Sequence, residues 1–480
     1  MNRPLLLLTS LALCAGTALA QARPATASAA SLAEGQQRLV EAALASDYAW
    51  QQTAALADGI GNRLSGSPGA AAAVQYVAGE LRRLGLEVKL EAVKVPHWQR
   101  GAEQAALVAW PGRPAGLEQR LALLTLGGSV ATPPQGLVAP VVPVRDYAEL
   151  ESLGRAGVAG RIVLYTAAFD EALNQGGYAG QAYGGAVDYR ANGASRAAAL
   201  GAVAALNRSA GWGDNRLPHT GALKYAEGVA KIPAASLSSE DAMLIARLAA
   251  QGEVRLRLKL TPQTLPDADS YNVVADLKGR ERPEEVVVIS GHLDSWDVGT
   301  GAQDDATGVA VAMQAAQLMK SSGLIPRRTL RVIAWMNEEN GLAGGKAYAA
   351  AHAAELGQHV AAIEMDMGAG HPMGFLAQLP PEAMPALAPL TKLLAGIGAG
   401  VAQHSLGGVG ADIGPLAKAG VPGFAPLVDG RDYFRIHHTE ADTLDKINPR
   451  HLAENAAVLS ALAYTLAEGE ALPRLPVAAP

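Results

Sequence analysis

The chain has 480 residues, 49% hydrophobic and 18% charged, which allows a packed core in two or three domains and excludes wholesale disorder. A net charge of −6 and a pI near 6.0 leave no basic face, so no nucleic-acid partner is expected. The one cysteine, Cys14, excludes a disulfide framework and a thiolate metal site.

The opening MNRPLLLLTSLALCAGTALA reads as a secretory signal over residues 1–20. Arg3 gives the positive start, Leu5 to Leu13 the apolar stretch, and Ala18-Leu19-Ala20 the cleavage site. The apolar run is too short to span a bilayer, and later Ala-rich stretches are broken by Gly, Pro and charges. The expectation is export, secreted or periplasmic, after cleavage near Ala20, with no stable membrane insertion. A bulky Leu13 before Cys14 argues against lipid attachment there. Residues 21–35 are small and polar and read as a flexible leader. A helical pattern follows from Gln36 to Ala57. Ser67 as N-cap, Pro68 at the first helical position and Gly85 as the stop predict a helix to Leu84. The alternating runs VKLEAVKV and AALVAW then complete the first part of the main domain, residues 36–111.

From 112 to 262 short apolar strands (GRIVLYTA, VRLRLKL) alternate with helices, which predicts a smaller α/β domain inserted in the larger one. NQGGYAGQAYGGAVDY reads as a long Gly/Tyr-rich loop within it, and the insert as a structural or lid-like element. Residues 263–470 return to strand, loop, helix. YNVVADLKG and EEVVVIS read as neighbouring strands joined by RERPE. A helix is expected from Thr307 to Lys320, then strand TLRVIAW, helix GLAGGKAYAAAH and strand HVAAIEMD. Near-continuous apolar strands between helices predict a doubly wound α/β fold with a mostly parallel sheet. Residues 471–480 read as a frayed tail.

Three of these strands run into acids or histidine. EEVVVIS leads into GHLDSWDVGTGAQDDATG, TLRVIAWMN into Glu338-Glu339, and HVAAIEM into Asp366. Ligands sit at the carboxyl ends of strands in open α/β sheets, so these clusters should converge on one crevice. Imidazole with several carboxylates and no thiolate suits a divalent metal such as zinc. So many acids fit two metals sharing a bridging carboxylate better than one. The candidates are His292, Asp304 or Asp305, Glu338 or Glu339, Asp366, and His437 or His438 in RIHHTEADT. His371 and His404 read as loop or surface histidines.

Together, GHLDSWD…DD.TG, NEENGLAGG, EMDMG, HHTEADT and the early GNRLSGSPG resemble the co-catalytic dizinc aminopeptidase family, within it the carboxypeptidase Q-like branch, from about Leu39 to Glu468. The resemblance implies a zinc exopeptidase fold with a protease-associated-like insert, two zinc ions per chain and possession of a homodimer interface. It implies that His292 and Asp366 ligate one metal, Glu339 and His438 the other, and that Asp304 bridges both. Asp305 follows the bridge through a peptide bond that is cis in some members. Glu338 is the implied general base, passing the proton of a metal-activated water to the leaving amine. Asp294 is implied behind His292, fixing its tautomer. His437, Tyr433 and Asp412 are candidate substrate contacts; for Asp412 a helix-cap role is the alternative. The substrates so implied are dipeptides or the amino ends of short peptides. A receptor-like protein without metals and a single-zinc aminoacyl cyclase are the competing readings, and both call for fewer metals.

Overall fold

The structure, a computed structural model, describes residues 31–213 and 215–477. The signal over 1–20 lies outside the described residues, as does most of the leader. The leader's last residues are helical. Ser31 and Glu34 form a reciprocal capping box that starts the helix Leu32–Leu44. The helix over Pro68–Arg83 starts as expected, with Ser67 Oγ accepting the Ala70 N–H at 3.1 Å.

Strand β1 (Glu87–Gln99) precedes eight short strands: β2 (Glu103–Ala109), β3 (Gln119–Leu121), β4 (Leu123–Thr125), β5 (Leu137–Val144), β6 (Ile162–Tyr165), β7 (Ala204–Arg208), β8 (Ala234–Leu237) and β9 (Arg255–Leu260). The chain continues through β10 (Gln263–Leu277), β11 (Arg282–His292), β12 (Arg328–Trp335), β13 (His359–Glu364), β14 (Pro372–Gln378), β15 (Val401–His404) and β16 (Gly423–Val428). They make two eight-stranded sheets, ordered β1-β10-β12-β11-β13-β16-β14-β15 and β3-β2-β9-β5-β6-β7-β8-β4.

The first sheet is mixed rather than mostly parallel. Its centre, β12-β11-β13-β16, is parallel, while β1, β10 and β14 join antiparallel. The long β1–β10 pair carries the chain out to the second sheet and back. β10 and β11 are not neighbours as predicted, because β12 lies between them. Val286–Ile289 are buried throughout, and such a run is stable at a sheet centre with both faces covered. Below it the helix Thr307–Ser321 is almost wholly buried, so the expected strand–loop–helix unit is present.

The second sheet begins at β2, with Glu103, earlier than the boundary read at 112; β2 pairs with β9. The Gly/Tyr-rich segment is not a loop. After a short helix, Glu171–Gln175, it forms the helix Ala179–Ala199. Ala182, Ala186, Arg190 and Gly193 are buried along it at helical spacing, and Gly193 lets the Tyr165 ring pass: a Cβ there would lie 2.5 Å from it. Packing overrides the low helix propensity of glycine. The tail's described residues, 471–477, are tied down rather than frayed: Arg474 donates to the carbonyls of Leu356, His359 and Ala419.

Candidate metal centre

The glycines of GHLDSWDVGTGAQDDATG allow a crowded return of the chain. Gly299 and Gly301 take φ of +65° and +60°. A Cβ on Gly308 would lie 2.3 Å from the Asp305 carboxylate. That carboxylate accepts the N–H of Gly308 at 2.8 Å and of His292 at 3.0 Å, joining the start of the helix to the end of β11. The Asp304–Asp305 peptide is cis.

Four strand and loop ends then meet. His292 Nε2 lies 2.9 Å from Asp304 Oδ1 and 3.1 Å from Asp366 Oδ1. His438 Nε2 lies 3.2 Å from Asp304 Oδ2 and 3.0 Å from Glu339 Oε2. Asp304 thus offers one oxygen to each imidazole. Both rings have their other nitrogen engaged. His292 Nδ1 faces the Asp294 carbonyl at 2.9 Å and His438 Nδ1 the Thr220 carbonyl at 3.2 Å. Without a metal the facing carboxylates raise both imidazoles well above their usual range, so each Nε2 carries a proton toward them; the proton on each Nδ1 stays toward its carbonyl. A metal cation in place of those two Nε2 protons would satisfy the same nitrogen and carboxylate donors. Donors around one tetrahedral zinc stand roughly 3.3 Å apart, given zinc–ligand distances of ~2.0–2.1 Å. The donor set therefore fits a divalent metal such as zinc.

The electrostatics agree. Without a cation, burial and then Asp304 push Glu339 up to about 7. Burial and then Asp366 raise Glu338 well above the carboxylate range. Burial also raises Asp366 and Asp305. Asp304 alone among the metal-facing acids is pulled well down: His292 and His438 outweigh its burial. Glu339 Oε1 is buried with no partner.

Asp294 does not act as expected. Its main-chain carbonyl, not its carboxylate, meets His292; the carboxylate is 3.9 Å from Nδ1. The carboxylate instead accepts the N–H of Asn337 at 2.7 Å and of Glu338 at 3.0 Å, and the Ser65 hydroxyl at 2.9 Å. Asn337 has φ +74°, and these bonds hold that turn. Asp294→Ala is expected to lower activity or metal affinity ~10–100-fold, read from kcat/KM and bound metal together.

Glu338, Asp366 and His438 are partly exposed to a cavity of about 530 Å³, also lined by His437 and Tyr433. His437 stacks on His438 at 4.2 Å between ring centroids, and its Nδ1 has no partner. Asp412 does not line the cavity and does not cap the following helix. It is fully buried with neither oxygen partnered, because Glu364 clamps its loop through the N–H groups of Ala411, Asp412 and Ile413. Glu364 was not among the expected residues, nor was Asp442, which accepts the N–H groups of Gln303 and Asp304 at 2.7 and 3.2 Å. Asp442 stands inside the TEADT motif, and Glu364 is the first residue of EMDMG, two before Asp366.

The second sheet's helix Ala179–Ala199 closes one side of the cavity with Tyr183 and Arg190, joined by Lys224. Thr220 donates its N–H to the His438 carbonyl at 2.9 Å. The insert therefore walls the site and holds one of its imidazoles.

Fold and site together define a metal-dependent hydrolase. Residues 272–463 match the model of peptidase family M28. Carboxypeptidase Q of Bos taurus is 38% identical over 436 residues, 90% of this chain and 88% of that protein. The crystal structure of a peptidase M28 precursor from Shewanella amazonensis superposes with a TM-score of 0.87 at 36% identity, covering 94% of this chain and 99% of that one. A zinc aminopeptidase from Bacillus subtilis shares the fold at 19% identity, with a TM-score of 0.64 and 89% and 97% coverage. The chain belongs to peptidase family M28 and is a zinc-dependent exopeptidase. Among the described residues no helix is long and apolar enough to cross a membrane.

Proposed function

We propose that the chain is an exported dizinc exopeptidase that splits dipeptides and removes amino-terminal residues from short peptides. In this reading His292 and Asp366 hold one zinc, Glu339 and His438 the other, and Asp304 spans both. The observation that carries it is the bridging geometry: one carboxylate whose two oxygens each face the Nε2 of a different imidazole. Held there, zinc would supply Lewis-acid polarisation of the scissile carbonyl and a water more acidic than in bulk. Glu338, at the cavity wall, takes the proton from the attacking water and returns it to the leaving amine. The acid-rich metal side suits a free α-amine. Arg190, Lys224 and Lys346 line the same cavity and supply positive charge that suits a substrate carboxylate. Both signs of charge in one cavity favour short substrates carrying both free ends. The insert, read as protease-associated-like over residues 112–262, acts as the wall that sets this length. Export follows from the signal over 1–20, and a homodimer from the family resemblance.

A panel of dipeptides, their carboxamides and aminoacyl anilides tests the reading. Chelation should abolish hydrolysis and zinc should restore it at about two ions per chain. Dipeptides should outpace their carboxamides roughly tenfold or more, the value of one charge-assisted contact of ~1.5–3 kcal/mol. Full activity after one zinc per chain, or equal rates with blocked carboxyl ends, would overturn the dizinc and the carboxylate-binding parts respectively.

A further inference from the structure

A second set of metal-type donors stands away from the catalytic pair. His371, immediately before β14, places Nδ1 2.8 Å from Glu454 Oε2. His451 and Glu454 are three residues apart near the start of the helix Pro449–Glu468, so they project from one side of it. The rings of His371 and His451 lie 5.4 Å apart. One donor atom from each of the three falls within 4.8 Å of the other two.

Glu454 is buried, and Arg450 Nε holds its Oε1 at 3.0 Å, which fixes Oε2 toward the histidines. A plain His371–Glu454 ion pair gives no reason for His451 to turn its ring to the same point. Both imidazoles border a cavity of about 590 Å³. This cavity shares Met367 and Tyr433 with the catalytic one, so the two are neighbours. Two imidazoles and one carboxylate, with the remaining position facing open space, form a three-ligand zinc set. No thiolate or hard-oxygen cage competes, so late first-row dications fit better than calcium or magnesium.

We propose that His371, His451 and Glu454 form a third metal site for a divalent transition ion such as Zn²⁺, tying the start of β14 to the last long helix beside the catalytic cavity. Its partial exposure makes it the weaker and more exchangeable of the sites. It is independent of the catalytic assignment.

The test uses the full, tag-free chain, cleared of loosely held metal by gel filtration, then titrated with Zn²⁺ by calorimetry and with Co²⁺ by visible absorption. The wild type should take up one ion more than the His371→Ala/His451→Ala variant, and each single variant should bind that ion at least about tenfold more weakly, a loss seen even for partners behind the ligands. His371→Gln and His451→Gln, at half-exposed positions, guard against a folding artefact. Dipeptide hydrolysis by these variants should stay at the wild-type rate. An Asp304→Asn variant should lose catalytic metal and keep the extra ion, which separates the two readings. Equal uptake by wild type and double variant overturns the third site, whatever the catalytic count.

Discussion

Glu338→Gln is expected to bind zinc as the wild type does and to lose ~10²–10⁴ of its turnover, the range typical of a removed general base. Glu338 takes part in none of the short contacts made by the two imidazoles, so its amide analogue removes no donor from the metal positions. Its main chain is fixed by Asp294, which leaves the turn in place in the variant. The loss should fall on kcat with KM little changed, since a proton moves only in the transition state. Metal analysis beside steady-state kinetics decides it. A variant that turns over at the wild-type rate rules Glu338 out as the base. One that sheds zinc with its activity makes it a ligand.

Much of this site was legible in the sequence because chain order and strand ends are local facts. A buried apolar run followed by an acid or histidine marks the rim of a parallel sheet, and three such runs gave His292, Glu338, Glu339 and Asp366. What was not legible depended on tertiary packing. The helix with Tyr183 and Arg190 was hidden by its glycines, which signal a loop; burial of Ala182, Ala186 and Arg190 at helical spacing is what makes it a helix. The placement of β12 between β10 and β11 needs sheet order, which a turn-like RERPE cannot supply. Asp294 was placed correctly and given the wrong atom: spacing says which residue stands near a histidine, not whether its carbonyl or its carboxylate does the work. The clamps Glu364 and Asp442 lie inside EMDMG and TEADT, but they bind main-chain N–H groups, so the motifs mark the residues without telling what they hold.

The largest stability effect is expected at Arg63, from the GNRLSGSPG stretch. Its guanidinium is fully buried. It donates to the carbonyls of Leu293 and Gly301 at 2.8 Å, Thr300 at 2.8 Å and Gly61 at 3.0 Å. Those bonds close the loop that carries Asp294 and leads to Asp304. Gly301 makes room, because a Cβ there would lie 2.9 Å from the guanidinium. Burial disfavours the charge on Arg63, while Asp442, Asp305, Asp294 and Asp304 favour it. Arg63 is thus the internal cation of an acid cluster whose other source of positive charge is bound metal. Arg63→Met would leave buried carbonyls unpaired and the acids uncompensated, at a cost of ~3–5 kcal/mol. That is a large part of the ~5–15 kcal/mol typical of a domain. The fall in Tm should be greater after chelation than with zinc bound, since ligation of the folded state restores both charge balance and stability. Arg63→Lys should lie between, keeping the charge and losing the planar fork that reaches several carbonyls at once. Thermal unfolding of the three proteins with and without zinc measures this. Equal melting of Arg63→Met and wild type in chelator would mean that the loop needs no internal cation, and that the acids are neutral when metal is absent.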